Sequence, residues 1–130
     1  MAGKTHLAEL QLAIMQVLWD REHATVSDVR ETLAPHRPLA YTTVGTMLSK
    51  MEALGYVTHD SDGRVNVYRP LLHREDVSRS MVTDLVDRLF QGDVTEMMCQ
   101  LLDGHDVTRD ELAALKKLIR SKEKEMRDAE

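Results

Sequence analysis

Thr42, Thr43, Thr46, Ser49 and Lys50 are the side chains whose type and spacing suggest chemistry. On a helix they share one face, and Val44, Met47, Leu48, Met51 and Leu54 recur at helical spacing on the other. Short hydroxyls can meet base edges or phosphates, and an ammonium group neutralises phosphate, so this outer face suits the major groove of a duplex. Gly45 leaves a gap in that face, where another surface can approach the backbone. An ordinary surface helix of a small bundle would show the same pattern, so the flanking segments must decide.

Other reactive side chains form no recognisable site. The six histidines (His6, His23, His36, His59, His73, His105) lack ligand spacing, and most of them read as surface residues. Asp84 with Asp87, and Asp103 with Asp106, are carboxylate pairs without a pocket or nucleophile to serve. Ser49 and Cys99 have no base or oxyanion motif nearby, and no Gly-rich phosphate loop is present. A single cysteine excludes an intramolecular disulfide and a multi-thiolate metal site. The sequence therefore predicts neither an enzyme nor a cofactor.

The flanking elements supply a frame for the 42–50 face. Leu7, Leu10, Ile14, Met15, Val17 and Leu18, closed by Trp19, predict an amphipathic helix from His6 to Glu22, with Trp19 as a core anchor. Thr25-Val-Ser-Asp28 reads as an N-cap with an acid at N3, followed by a short helix through Leu33 whose Val26, Val29 and Leu33 face inward. Pro35 and Pro38 enforce a turn, and Gly55 stands where a helix C′ residue turns left-handed. Two helices across a short turn, the second with a polar outer face, make a helix-turn-helix. Tyr56–Asp60 and Arg64–Arg69 then alternate as strands around Ser61-Asp-Gly63, a hairpin signal, and Pro70 ends the second strand. Such a hairpin is a wing, with Arg64 at its tip able to reach phosphate or minor groove.

Beyond Arg74 three helices are predicted. Val77, Met81, Val82, Leu85 and Leu89 stripe the first as far as Phe90, and Gly92 breaks it. Met97, Met98, Leu101 and Leu102 mark the second, from Val94 to Leu102. Thr108-Arg-Asp-Glu111 is a capping box for the third, with Val107 and Leu112 as a staple and Leu112, Leu115, Leu118 and Ile119 as its apolar face. Its charged remainder to Glu130 is expected to fray. So small a helical segment leaves apolar surface uncovered, which predicts an interlocked twofold dimer through Val77, Met81, Leu85, Leu89, Leu101, Leu112, Leu115 and Ile119. Met81, Met97 and Met98 can also line an effector pocket, though adaptable packing is the commoner use of methionine.

Composition sets limits on this reading. The chain has 130 residues and a net charge of −5, with seven Lys/Arg against eight Asp/Glu up to Leu72 and ten against fourteen beyond it. The acidity thus falls mainly in the C-terminal helices, and a DNA contact needs a local basic patch, not a basic chain. No apolar run approaches the ~20 residues that span a bilayer, and no signal-peptide core is present, so the expected location is the cytoplasm.

Taken together, Leu7-x-x-Leu10, Ile14-Met-Gln-Val-Leu-Trp19, Thr25-Val-x-Asp-Val29, Tyr41-Thr-Thr-Val-x-Thr46, Leu54-Gly-Tyr-Val57 and Tyr68-x-Pro70 resemble the penicillinase-repressor (BlaI/MecI/CopY) family of bacterial winged-helix regulators. The resemblance runs from about Leu7 to Leu72, with a matching helical tail. It implies a mostly α fold with a small hairpin wing: a winged helix-turn-helix DNA-binding domain at 1–72 and a helical dimerisation domain at 73–130. It further implies a homodimeric repressor on a palindromic operator, with DNA contacts at Tyr41, Thr42, Thr43, Thr46, Lys50 and Arg64. In one branch of the family a membrane metalloprotease sensor is the partner that inactivates the repressor. The chain departs from the family pattern in having no Lys or Arg at positions 42 and 45, no basic pair near Glu52-Ala53, and no C-terminal cysteine cluster of the copper-responsive kind. The sparse cations keep a second reading in view, a winged-helix adaptor that binds protein and no specific DNA.

Overall fold

The computed structural model describes residues 7–130, and the helix expected from His6 runs from Glu9 to Arg21 (α1), with His6 outside the described residues. Ile14, Met15, Val17 and Leu18 of α1 are buried. Gln11, a polar residue on that buried face, is satisfied because its Oε1 accepts the Ala8 N–H at 3.0 Å.

The N-cap expected at Thr25 is present in full. Thr25 Oγ1 accepts the Asp28 N–H at 3.1 Å, and Asp28 Oδ2 accepts the Thr25 N–H at 3.0 Å. This box starts helix α2, Val26–Leu33. Just before it lies a two-residue strand, β1 (Ala24–Thr25), too short for any sequence periodicity to reveal.

Helix α3 spans Tyr41–Ala53, and its inner face buries Val44, Leu48 and Met51 completely. It ends in a Schellman turn: the Gly55 N–H donates to Glu52 O at 3.0 Å and the Tyr56 N–H to Met51 O at 2.9 Å, with Gly55 at φ +83°. Two sequence expectations need correction here. Leu54 is the C-cap, beyond the last inward-facing turn, and is exposed. Gly45 does not open the outer face, because a Cβ there would lie 4.0 Å from Val26 Cγ1 of α2.

Strands β2 (Val57–Asp62) and β3 (Val65–Pro70) form the hairpin, and β1 joins the free edge of β3 to give the order β1-β3-β2. Asp62 pairs with Val65, so the turn is Gly63-Arg64 and lies later than the expected Ser61-Asp-Gly63. Gly63, at φ +68°, occupies the first central position, where a two-residue hairpin turn of the II′ kind wants glycine. Val57 and Tyr68 turn inward to complete the core.

Helix α4 covers Arg74–Leu89. Its first residue and the connection before it fasten onto α1: Trp19 Nε1 donates to Leu72 O at 2.9 Å, Arg74 lies 5.4 Å from the Trp19 ring centre, and Arg74 pairs with Asp20 at 2.6 Å. Val77 is a member of the core and Met81 packs against it. Within α4 the chain divides into two compact units, one ending at Asp84 and the other spanning Leu85–Glu130.

The second unit contains the end of α4, α5 (Val94–Gly104) and α6 (Arg109–Asp128). Asp93 caps α5 through the Glu96 N–H, and the expected Thr108/Glu111 box caps α6 in both directions. Helix α6 persists to Asp128 instead of fraying. Its last turns are rich in Lys, Glu, Arg and Met, all good helix formers, and Lys122 lies 3.7 Å from Glu125 one turn on.

Two outcomes follow from this geometry. Gly45→Ala should raise thermal stability, by about 0.5–1 kcal/mol, because a mid-helix glycine costs roughly that against alanine and the Cβ position is open to ordinary contact; a lower melting temperature would refute it. Asp28 has its carboxyl held below 3.8, chiefly by the Thr25 backbone hydrogen bond and also by the Thr25 hydroxyl and the nearby Arg21 and His23 charges, against a smaller opposing cost of burial. A depressed carboxylate contributes stability above its unfolded value and loses it as pH falls through the folded one. The melting temperature of Asp28→Asn, which keeps an acceptor oxygen, should therefore fall less steeply below pH 3.8 than that of the native chain.

Candidate nucleic-acid interface

Burying Val44, Leu48 and Met51 leaves the opposite side of α3 to solvent, and Tyr41, Thr42, Thr43, Thr46, Ser49 and Lys50 are all exposed there. From Thr42 to Lys50 the helix advances ~12 Å, comparable to the width of a B-DNA major groove. None of the exposed side chains is large and apolar except Tyr41, at the head of the helix.

The start of α3 adds a backbone feature. Its N-cap is Ala40, which has no side-chain acceptor, so among the described residues no side chain caps the first N–H groups of the helix. Open N–H groups and the positive end of the helix dipole favour an anion there. The connection before it is held in place by Arg30, whose Nε donates to Leu39 O at 3.1 Å, and by an Arg37–Glu9 pair at 2.6 Å.

Some cations of this unit are committed to ion pairs and others are not. Arg21, Arg37, Arg69 and Arg74 are engaged with Asp28, Glu9, Asp60 and Asp20. Lys50 on α3 and Arg64 in the β2–β3 turn are exposed and hold no ion pair among the described residues. These are the two cations the sequence placed on the DNA-binding set.

One contact was not legible in the sequence. His59 of β2 reads there as a surface histidine, yet its Nδ1 lies 2.6 Å from Glu52 Oε1 in the last turn of α3, and both side chains are about two-thirds buried. The His59 ring also meets Tyr68, its partner across the hairpin, with centroids 5.2 Å apart and planes at 45°. The two residues are seven apart across a helix–strand junction, where neither the helical nor the strand period applies.

The expected dimerisation residues fall into two groups. Val77 is buried and Met81 half-buried in the first unit. In the second unit Leu85, Leu89, Leu101, Leu112 and Ile119 are exposed, Leu89 at 66% and Ile119 at 57%, and Leu115 is half-buried. Cys99 is exposed, and among the described residues no three His, Cys, Asp or Glu side chains cluster to hold a metal ion. No helix among them is long and apolar enough to cross a membrane.

Comparison with known proteins places this geometry in a family. Residues 7–121 match the family described as penicillinase repressor. The transcriptional regulator BlaI of Mycobacterium tuberculosis is 38% identical over 85 residues, taking in 65% of this chain and 62% of that protein. The penicillinase repressor of Bacillus licheniformis is 22% identical over 113 residues, 87% of this chain and 88% of the relative. Among solved structures, the DNA-binding domain of the repressor BlaI superposes with a TM-score of 0.50 at 26% identity, covering 58% of this chain and 93% of that one. Monomeric Bacillus licheniformis BlaI in complex with the blaP half-operator matches with the same score, identity and coverage. With the family match running from the first described helix into the last, and a winged helix carrying it, the chain belongs to the penicillinase repressor family.

Proposed function

We propose that this chain is a sequence-specific transcriptional repressor that binds a palindromic operator as a homodimer. The observation that carries this is the outer face of α3, where hydroxyls and Lys50 stand exposed beside an Arg64 wing tip, both cations holding no ion pair among the described residues. The relative solved on a half-operator supports the same use of the fold.

In this reading Thr42, Thr43 and Thr46 meet base edges, Lys50 neutralises a phosphate, and the open N-terminus of α3 receives another. Tyr41 packs at the groove edge, and Arg64 contacts phosphate or minor groove beside it. The exposed leucines of the second unit, with Ile119, close the dimer, because apolar surface on that scale marks an association site. Two half-sites would then lie about one helical turn, or a multiple of it, apart. A membrane metalloprotease sensor enters as a partner through family membership alone.

Titration against duplex from the chain's own promoter region, over a series of salt concentrations, tests the reading. Saturable binding that specific duplex, but not random duplex, competes away is expected. Lys50→Ala should weaken binding to all sequences and reduce the salt slope by about 1. Thr46→Ala should lower affinity about three- to tenfold on the operator and little on random duplex. No binding at low salt would overturn the repressor and favour the adaptor, which the net charge of −5 also suits.

Leu89→Asp should yield folded monomers in sedimentation velocity, since Leu89 is 66% exposed within the chain. A variant that still sedimented as a dimer would refute the interface.

A further inference from the structure

Glu52 is in the wrong place for an ordinary surface acid. It stands in the last turn of α3, where the negative end of the helix dipole disfavours a carboxylate. On the proposed DNA-reading helix it would also oppose phosphate. What holds it is His59: the 2.6 Å contact joins a carboxylate, which only accepts, to an Nδ1 that must then carry the hydrogen. The ring behind that nitrogen rests on Tyr68, which is 4% exposed and belongs to the core. A continuous path of contacts thus runs from the end of α3 through Glu52 and His59 into the hairpin and the core beneath it.

We propose that the Glu52–His59 pair is a positioning device that fixes the angle of the β2–β3 hairpin on α3, and so sets the spacing at which Arg64 and the Thr42–Lys50 face engage one duplex. The role in DNA recognition rests on the repressor reading above. The lever is long enough to matter. His59 and Arg64 are five residues apart along an extended strand and turn, ~16 Å, so a 10° change in hairpin angle moves the tip by ~3 Å, more than a hydrogen bond tolerates. Elsewhere the hairpin is joined to α3 through the Leu54–Tyr56 connection, whose Gly55 adopts a conformation that side chains rarely reach. Loss of the pair leaves that connection, the core packing of Val57 and Tyr68 and the β1–β3 pairing to set the angle, none of which ties the outer half of β2 to the end of α3.

The test separates positioning from charge. Glu52→Ala and Glu52→Gln remove the same negative charge, but only glutamine keeps a hydrogen-bonding partner for His59. Operator affinity is measured for both in the full-length chain, with Arg64 present and again with Arg64→Ala. With Arg64 present, Glu52→Ala should bind about three- to tenfold more weakly than Glu52→Gln, and in the Arg64→Ala background the two should bind alike, the non-additivity expected of coupled residues. Residual dipolar couplings of the free variants give the hairpin's orientation on α3 without DNA. They should change in Glu52→Ala and stay native in Glu52→Gln. Equal affinities of the two variants, a difference that survives loss of Arg64, or an unchanged orientation in Glu52→Ala would each overturn the proposal. Failure of the native chain to bind any duplex would instead overturn the repressor reading and the recognition role with it, with the couplings still reporting whether the pair holds the hairpin.

Discussion

The rotation of α3 about its own axis is the constraint on which the rest of this structure depends. Val44, Leu48 and Met51 lie at i, i+4 and i+7 and are wholly buried, so turning the helix by one residue, about 100°, would bring a buried apolar side chain into water and a hydroxyl into the core. Each such side chain is worth roughly 1.5–3 kcal/mol of burial. Three in one stripe make the alternative orientations negligible. The exposed hydroxyls and Lys50 are thereby presented in one direction only, which is what a reading face requires. The other elements serve this: α2 is started by the Thr25–Asp28 box and meets α3 near Gly45, while α1 and the hairpin close the core from the remaining sides.

A different economy governs the second unit. Its helices are well capped, yet Leu85, Leu89, Leu101, Leu102, Leu112, Leu118 and Ile119 remain exposed. Capping and local propensity contribute about 1 kcal/mol per feature and can hold such helices in shape, but they cannot make so much exposed leucine favourable in water. Under the proposed homodimer such a unit would gain its stability on association, and its folding and its protein concentration would be linked. Helix α6 illustrates the point, since it runs twenty residues with an apolar stripe and charged flanks and buries none of them within the chain.

The sequence made the helices and their faces legible because their periodicity is long and their caps are chemically explicit. Thr25–Asp28, Thr108–Glu111 and Gly55 each announce a boundary that the structure keeps. What could not be read was short or non-local. Strand β1 has two residues, Ala24 and Thr25, and exists only because β3 offers an edge at Tyr68 and Val67. The hairpin turn shifted from Ser61-Asp-Gly63 to Gly63-Arg64 because cross-strand register, with Val57 and Tyr68 required inside, outweighs the local turn signal. The charged end of α6 stays helical to Asp128 because its Lys, Glu, Arg and Met residues are good helix formers whatever their charge. In the interface, the hydroxyl face and Arg64 were visible as a pattern, whereas Glu52 with His59 arises from a tertiary contact between two elements that follow different periods.

Charge placement ties these strands together. The chain carries five more acids than bases, and in its winged-helix unit most arginines are already committed to holding elements together: Arg37 to Glu9, Arg74 to Asp20, Arg69 to Asp60 and Arg21 to Asp28. Solvated pairs of this kind add little stability individually, but they remove cations from the pool that attracts phosphate. Non-specific affinity for duplex comes almost entirely from such phosphate contacts and grows steeply with their number. A repressor whose α3 face and wing tip offer only Lys50 and Arg64 as uncommitted cations would hold random DNA weakly. It would then depend on base-edge contacts along α3, and on a second half-site bound at the same time, to reach useful occupancy. On that account the acidic composition is no objection to DNA binding; it moves the burden from electrostatic attraction to geometry, where the orientation of α3 and the angle of its hairpin decide the outcome.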